Sequence, residues 1–354
     1  MIKKWTEEEI WEWYNNRPWI MGCNFIPSNC INNIEIWQEY NFDKVLNVID
    51  KELGIAEETG FNSVRMVMPF FVWKYQTKGC KRRLDQFLSL AYKHGINLMP
   101  VLFDDCCVPK EFYQPKFGEQ PTPVPGHHGG IVITPFDGSS KVGYNLCDDI
   151  ENWPDLEMYV KDLISTFAKD ERIIIWDIWN EPGNSNRGTR SLAFMEKVFE
   201  IAREQDPIQP LTAGAWNFSD KFFESPDNLS VIEKRAIELS DIVTFHYYGD
   251  YEHTVKLIEV LKEYKRPLII TEWLHRPFGN LVETHLPFFK NKKIGCYNWG
   301  LVNGKTQTHE PWDSIRNIPG LDFSKWQHDL YHNDGTPYDG KEIKIFQSLS
   351  PRGK

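Results

Sequence analysis

No apolar run in the chain approaches the roughly 20 residues that a membrane-crossing helix requires, and no apolar stretch of leader type follows Met1-Ile2-Lys3-Lys4. The expectation is a cytoplasmic protein without a membrane partner, or a secreted one if a leader has been trimmed. Cysteine is sparse, 7 in 354 residues, odd in number and irregularly spaced, which argues for reduced thiols rather than a disulfide framework. Positive charge is also short: 40 Lys and Arg stand against 50 Asp and Glu, a net charge of −10. That excludes a nucleic-acid partner and disfavours strongly anionic polysaccharides, while neutral sugars remain compatible. The chain lacks an early His-x-His, and His127-His128 are adjacent rather than alternating. Cys106-Cys107, beside Asp104-Asp105, has no second Cys/His cluster at ligand spacing, so no metal and no cofactor are expected. No linker or shift in composition divides the chain, which reads as one domain of undetermined oligomeric state.

Aromatic residues, by contrast, reach 14%, with 14 Trp, enough both to pack a large core and to supply flat faces for sugar rings. The most informative stretch is 173–184, Ile-Ile-Ile-Trp-Asp-Ile-Trp-Asn-Glu-Pro-Gly-Asn. Its β-rich apolar run reads as a buried strand that stops at Pro182, which cannot donate to a sheet ladder and biases Glu181 toward an extended backbone. Glu181 is thereby delivered at the tip of a buried strand, where a carboxylate is costly unless paired or used. Residues 267–273, Pro-Leu-Ile-Ile-Thr-Glu-Trp, repeat the design and end in Glu272.

Strand patterns at 19–25, 63–68, 98–103, 173–180, 210–216, 242–248, 267–273 and 295–301 alternate with helical spacing, most clearly at 43–59, 80–94, 154–169, 191–205 and 253–264. A helix over 7–14 opens the chain, with Thr6 and Glu9 placed for a capping box, and a short one covers 284–291. Eight such units predict a single (β/α)8 barrel, and 354 residues leave room for long loops beyond the ~250 of a typical barrel. Residues 106–150, rich in Pro and Gly, break the rhythm as one long loop after the third strand, where a loop would wall and shorten a cleft.

Two glutamates at strand ends, one preceded by Asn180, match the carboxylate pair of glycoside hydrolysis. Here the chain resembles the retaining TIM-barrel glycoside hydrolases, the family 5 cellulase-like group most closely, over about 19–302. The resemblance implies Glu181 as acid/base and Glu272 as nucleophile. Arg65, a charge within an apolar strand that would have to be paired, resembles the arginine lying beside the nucleophile. Asn180 resembles the residue that bonds the sugar 2-hydroxyl, and His246 and Tyr248 match a His-x-Tyr whose tyrosine contacts the nucleophile. Trp299 matches the tryptophan under the reacting sugar, and Trp216 closes the fifth strand as a further substrate contact. Asp104-Asp105 departs from the family pattern, and these carboxylates are expected to bind sugar hydroxyls. The tail from Trp326 to Tyr338 resembles that of a cellulase- or xylanase-like subgroup.

The reading is a retaining β-glycosidase acting from the chain end on small glycosides or oligosaccharides. An endo-acting β-1,4-glycanase and a non-catalytic carbohydrate-binding barrel remain as alternatives, and a chelator would separate a metal-dependent hydrolase from both.

Overall fold

Parallel strands cannot be joined by a tight turn, so a chain that alternates strand and helix is committed to crossovers that cover the sheet's outer face. The computed structural model, which describes residues 4–134, 140–218, 220–223 and 225–352, realises that pattern as a closed barrel. The opening tripeptide of the leader reading and residues 135–139 of the long loop lie outside the described residues. The strands are β1 (Met21–Asn24), β2 (Ser63–Val67), β3 (Asn97–Asp104), β4 (Trp176–Asn180), β5 (Leu211–Ala215), β6 (Val243–His246), β7 (Leu268–Trp273) and β8 (Gly295–Trp299), and β8 pairs back onto β1. The (β/α)8 expectation holds.

The helices are α1 (Glu7–Asn15), α2 (Asn33–Trp37), α3 (Phe42–Thr59), α4 (Phe70–Lys93), α5 (Trp153–Phe167), α6 (Leu192–Glu204), α7 (Val231–Leu239), α8 (Tyr251–Leu261), α9 (Val282–Asn291) and α10 (Gly340–Leu349). The capping box forms at α1, Thr6 and Glu9 each bonding the other's backbone. α1 then plugs the barrel floor, where Ile10, Trp13 and Tyr14 pack with Ile20, Met99 and Ile175. Gly60, at φ 98, ends α3 in the left-handed conformation that a residue with a Cβ rarely adopts.

Several boundaries differ from the sequence reading. α4 starts ten residues earlier than 80 and is interrupted at Gln76 (φ −134), because the apolar Phe70–Trp73 turn already packs inward. β4 is shorter than expected: Ile173 makes only an isolated bridge to Leu98, and the register slips between Asp177 and Trp179. Helices α2, α7 and α10 had no predicted counterpart. α10 fills the wall between α9 and α3, with Phe346 edge-on to Phe61 at 5.3 Å. The tail leading to it is held by Trp326 stacked on Tyr338 at 4.8 Å.

Register is what makes a site at the barrel mouth. Pairing sets Asn24 beside Arg65, Asp104 beside Asn180, and His246 beside Glu272. The C-terminal ends of these strands therefore bring polar side chains to one level. The core packs behind them: Trp179, fully buried, stacks on Phe103 at 4.8 Å, and burying such a side chain contributes a few kcal/mol at ~25 cal/mol per Å².

Candidate active site

Arg65 organises the mouth. Its guanidinium is buried on β2 and donates to Asp177 (2.9 Å), Asn24 (2.7 Å), Glu272 (3.1 Å) and Asn180 (2.6 Å). It thus ties β1, β4 and β7 together with one fixed charge. Asp177, which in the sequence reads only as a polar residue inside a strand and carries no signal of a site, is its closest charge partner. Burial still pushes that carboxyl up to about 6, against the pull of Arg65.

Glu272 accepts from Arg65 through Oε1 and from the Tyr248 hydroxyl through Oε2 at 2.7 Å. Burial raises the Tyr248 pKa well above its usual range, so that hydroxyl stays a donor. Glu181 lies across from it. His246 Nδ1 is 2.7 Å from Glu181 Oε1 and 3.5 Å from Glu272 Oε1, which places the imidazole between the two acids. Burial lowers the His246 pKa to about 3, leaving the ring neutral. Its far edge packs over Gly214, where an added Cβ would lie 3.0 Å from Nε2.

The other oxygen of Glu181 accepts from the Cys106 thiol at 2.9 Å and from the Asn184 amide. Neither residue stands out in the sequence for this role, since the loop position of Cys106 carries no periodic signal. The backbone of Glu181 also differs from expectation. A residue before proline should be extended, yet Glu181 has φ 46, a left-handed conformation that costs on the order of 1–3 kcal/mol. The turn that follows holds it there: Gly183 N–H bonds the Asp105 carboxylate at 2.7 Å and Asn184 N–H bonds the Glu181 carbonyl at 3.0 Å.

The two acids are close. One carboxylate oxygen of each, together with a His246 nitrogen, lie within 4.8 Å of one another. Among the described residues this is the grouping that could hold a metal ion; His246 Nδ1 bonds Glu181, and its Nε2 is buried without a partner among the described residues. Burial is the first cause raising both carboxyl pKa values. The environments are unequal, however: Glu272 touches a guanidinium, and Glu181 touches only neutral groups. A proton shared by the pair resides on Glu181.

Asn180 joins the site with both ends of its amide engaged, accepting from Arg65 and donating to Asp104 at 2.8 Å. Asp104 lines the cavity, and burial pushes its carboxyl up to about 7. Trp216, His246, Tyr248 and Trp299 also line it, and the indole nitrogen of Trp299 is buried without a hydrogen-bond partner among the described residues. Asp105 does not belong with them. It is wholly buried against Arg187 (2.9 Å), Ser191 (2.9 Å) and Asn145 (3.1 Å). The expectation that it binds sugar hydroxyls is corrected: these bonds, with the one from Gly183, pin the long loop to the turn after β4.

That loop folds back over the mouth rather than away from it. Asn32 and Gln38 in the segment after β1 bond Gln120 and Gly118, while Gly129 and His128 bond Thr306 and Glu310 in the segment after β8. The cavity it helps enclose has a volume of ≈ 640 Å³.

A family model described as Cellulase (glycosyl hydrolase family 5) matches residues 50–305. The chain belongs to glycoside hydrolase family 5. This family 5 enzyme shares its barrel with a β-1,4-mannanase from the sea hare Aplysia kurodai (16% identity, 80% of this chain and 88% of that one, TM-score 0.53). An endo-1,4-β-mannanase from Eisenia fetida aligns over 96% of this chain and 92% of its own at 14% identity, TM-score 0.58. An exo-β-1,4-mannosidase from Opitutaceae bacterium strain TAV5 aligns over 95% and 60% at 15% identity, TM-score 0.59. No curated protein matches the sequence significantly. At such identities the likeness is one of fold, and within family 5 the specificity of this glycoside hydrolase has to come from its own site.

Proposed function

We propose that the enzyme is a retaining β-glycosidase in which Glu272 is the nucleophile and Glu181 the acid/base, acting from the chain end on small glycosides. The observation that carries this is that one carboxylate oxygen of each acid lies within 4.8 Å of the other, which suits direct attack, whereas inverting enzymes keep the carboxyl groups ~6.5–9.5 Å apart to admit a water. Glu272, charged beside Arg65, attacks the anomeric carbon while Glu181 protonates the departing oxygen. Once Glu272 is an ester its charge is gone, and Glu181 becomes the base that activates water. His246, neutral and bonded to Glu181, fixes that carboxyl in place without competing as a charge. Asn180 and Asp104 are placed to meet the hydroxyls of the reacting sugar, with Trp299 and Trp216 as its apolar walls.

Action from the chain end is supported by the long loop, which bridges the segments after β1 and β8 and so closes that side of the cleft. β-Mannosides are the first sugars to test, since mannanases and a mannosidase share the fold. The experiment is a panel of aryl β-glycosides (manno, gluco, galacto, xylo) beside soluble mannan, glucan and xylan, with the first-formed anomer read by NMR. Retained configuration and release of single units are expected. Inverted product would overturn the mechanism, and preferential internal cleavage of a polysaccharide would favour the endo-acting reading.

A further inference from the structure

The cavity changes character along its length. Around the carboxylates it is polar, lined by Asp104, Asn180, Glu181 and Glu272. Beyond Glu181, toward the tips of β2 and β3 and under the long loop, it is walled by Phe70, Phe71, Val108, Tyr113, Ile133 and Leu146. Phe71 is stacked on Phe117 at 4.6 Å, so its face is held as a fixed platform.

Three of the polar side chains on that wall are already committed to the protein. Asn32 accepts from Glu35 N–H and donates to Gln120. The Tyr144 hydroxyl donates to Asp149 at 2.7 Å. Asn145 donates to the Asp104 carbonyl and the Asp105 carboxylate. A second sugar ring lying here would bury hydroxyls against groups with little bonding capacity left, which is unfavourable. A hydrocarbon or aryl group would lose nothing and would bury apolar surface.

The wall adjoins Glu181 through the long loop. Cys106 and Asn145 border it, and Cys106 bonds Glu181. Glu272 stands across the mouth on β7. The group that leaves is the one whose oxygen Glu181 protonates, so it departs on this side.

We propose that the natural substrate is a β-glycoside with an apolar aglycone, an alkyl or aryl group seated on the wall formed by Phe71, Tyr113 and Ile133. This rests on the retaining-glycosidase reading. It adds that the specificity of the site lies as much in the leaving group as in the sugar.

The test compares methyl and n-octyl β-glycosides of mannose, glucose, galactose and xylose, below micelle-forming concentration, with the corresponding β-1,4-disaccharides. For whichever sugar is turned over, kcat/KM is expected to be at least about tenfold higher for octyl than for methyl, mainly through KM, and higher than for the disaccharide. Phe71→Asn and Ile133→Asn should each reduce the octyl-to-methyl ratio several-fold, and two variants guard against one that misfolds. Equal methyl and octyl values, or a preference for the disaccharide, would overturn the proposal while leaving the glycosidase intact. A 6-O-octanoyl methyl glycoside preferred over the octyl glycoside would put the apolar group on the sugar and overturn it as well. Absence of turnover on every compound would remove the glycosidase reading itself, and the inference with it.

Discussion

Replacing Tyr248 with Phe isolates one contribution to the electrostatics at Glu272. The hydroxyl donates to Glu272 Oε2 at 2.7 Å, and a hydrogen bond to a charged group is worth about 1.5–3 kcal/mol. Little else is lost. The ring is held by Trp312 at 5.3 Å and His328 at 5.4 Å, and a phenyl group fills the same space. Removing a donor to the ionised form disfavours that form, so the apparent pKa of Glu272 should rise by about one to two units, at 1.36 kcal/mol per unit. Arg65 remains at 3.1 Å and limits the rise. The assay is kcat/KM against pH on an aryl glycoside. Its acidic limb reports ionisation of the nucleophile in the free enzyme, and that limb should move up by about one to two pH units in Tyr248→Phe while the alkaline limb moves less. An acidic limb that stays put while the alkaline limb shifts would mean that Tyr248 acts on the proton donor, and the assigned roles would be reversed.

The roles are also separable by chemical rescue. Glu272→Ala should be inactive on all substrates and recover some activity with azide to give inverted product, whereas Glu181→Ala should still cleave a dinitrophenyl glycoside and yield retained azide adduct; retained product from Glu272→Ala would refute the assignment. Asp105→Asn should destabilise the fold by about 3–5 kcal/mol in a denaturant titration, because it breaks a wholly buried pair with Arg187; a change under about 1 kcal/mol would return Asp105 to the substrate contacts. Stability should also fall as pH rises from about 6.5 to 8.5. Burial raises Glu52, Asp104 and Asp329 to about 7 and Glu233 to about 8, so the folded state binds more protons than the unfolded one above about pH 4, and that advantage is lost on passing through the folded-state values. The buried neutral histidines, His128 near 4 and His275 near 3, oppose this only below about 6.5. A melting temperature that stays level or climbs over pH 6.5–8.5 would contradict it.

The barrel was legible because its signals are local. Period-two and period-3.6 patterns, a capping box at Thr6 and stops such as Gly60 each depend on a few neighbouring residues. Glu181 and Glu272 were legible because a carboxylate ending an apolar strand violates the pattern around it. What escaped depends on distance. Asp105 and Asp104 are adjacent and chemically alike, yet one side chain lines the cavity and the other meets Arg187, and only the path of the turn after β4 decides which. Cys106 owes its contact with Glu181 to a loop whose course composition does not set. α7 escaped although Ser230 and Glu233 carry a capping signature, since Glu233 also accepts from Trp216 and Asn217 and reads from sequence as an ordinary exposed helix acid.

Arg65 shows why the fold and the chemistry are hard to separate here. Asp104, Glu181 and Glu272 at the mouth, with Asp177 beneath it, crowd around this one guanidinium. Four charges against one in such a setting would be prohibitive, so protons must be held on some of them. Asp177 takes the shortest ion pair, at 2.8 Å, and Glu272 the longer one at 3.1 Å. The proposed nucleophile is therefore held by a shared charge and not an exclusive one. An exclusive partner would keep Glu272 ionised but would also oppose the loss of its charge as the ester forms. With Asp177 remaining to balance Arg65 when Glu272 becomes neutral, the buried arginine is never left unpaired during turnover. Under the proposed mechanism, the structural carboxylate one layer below the site thus makes the change in charge at Glu272 tolerable.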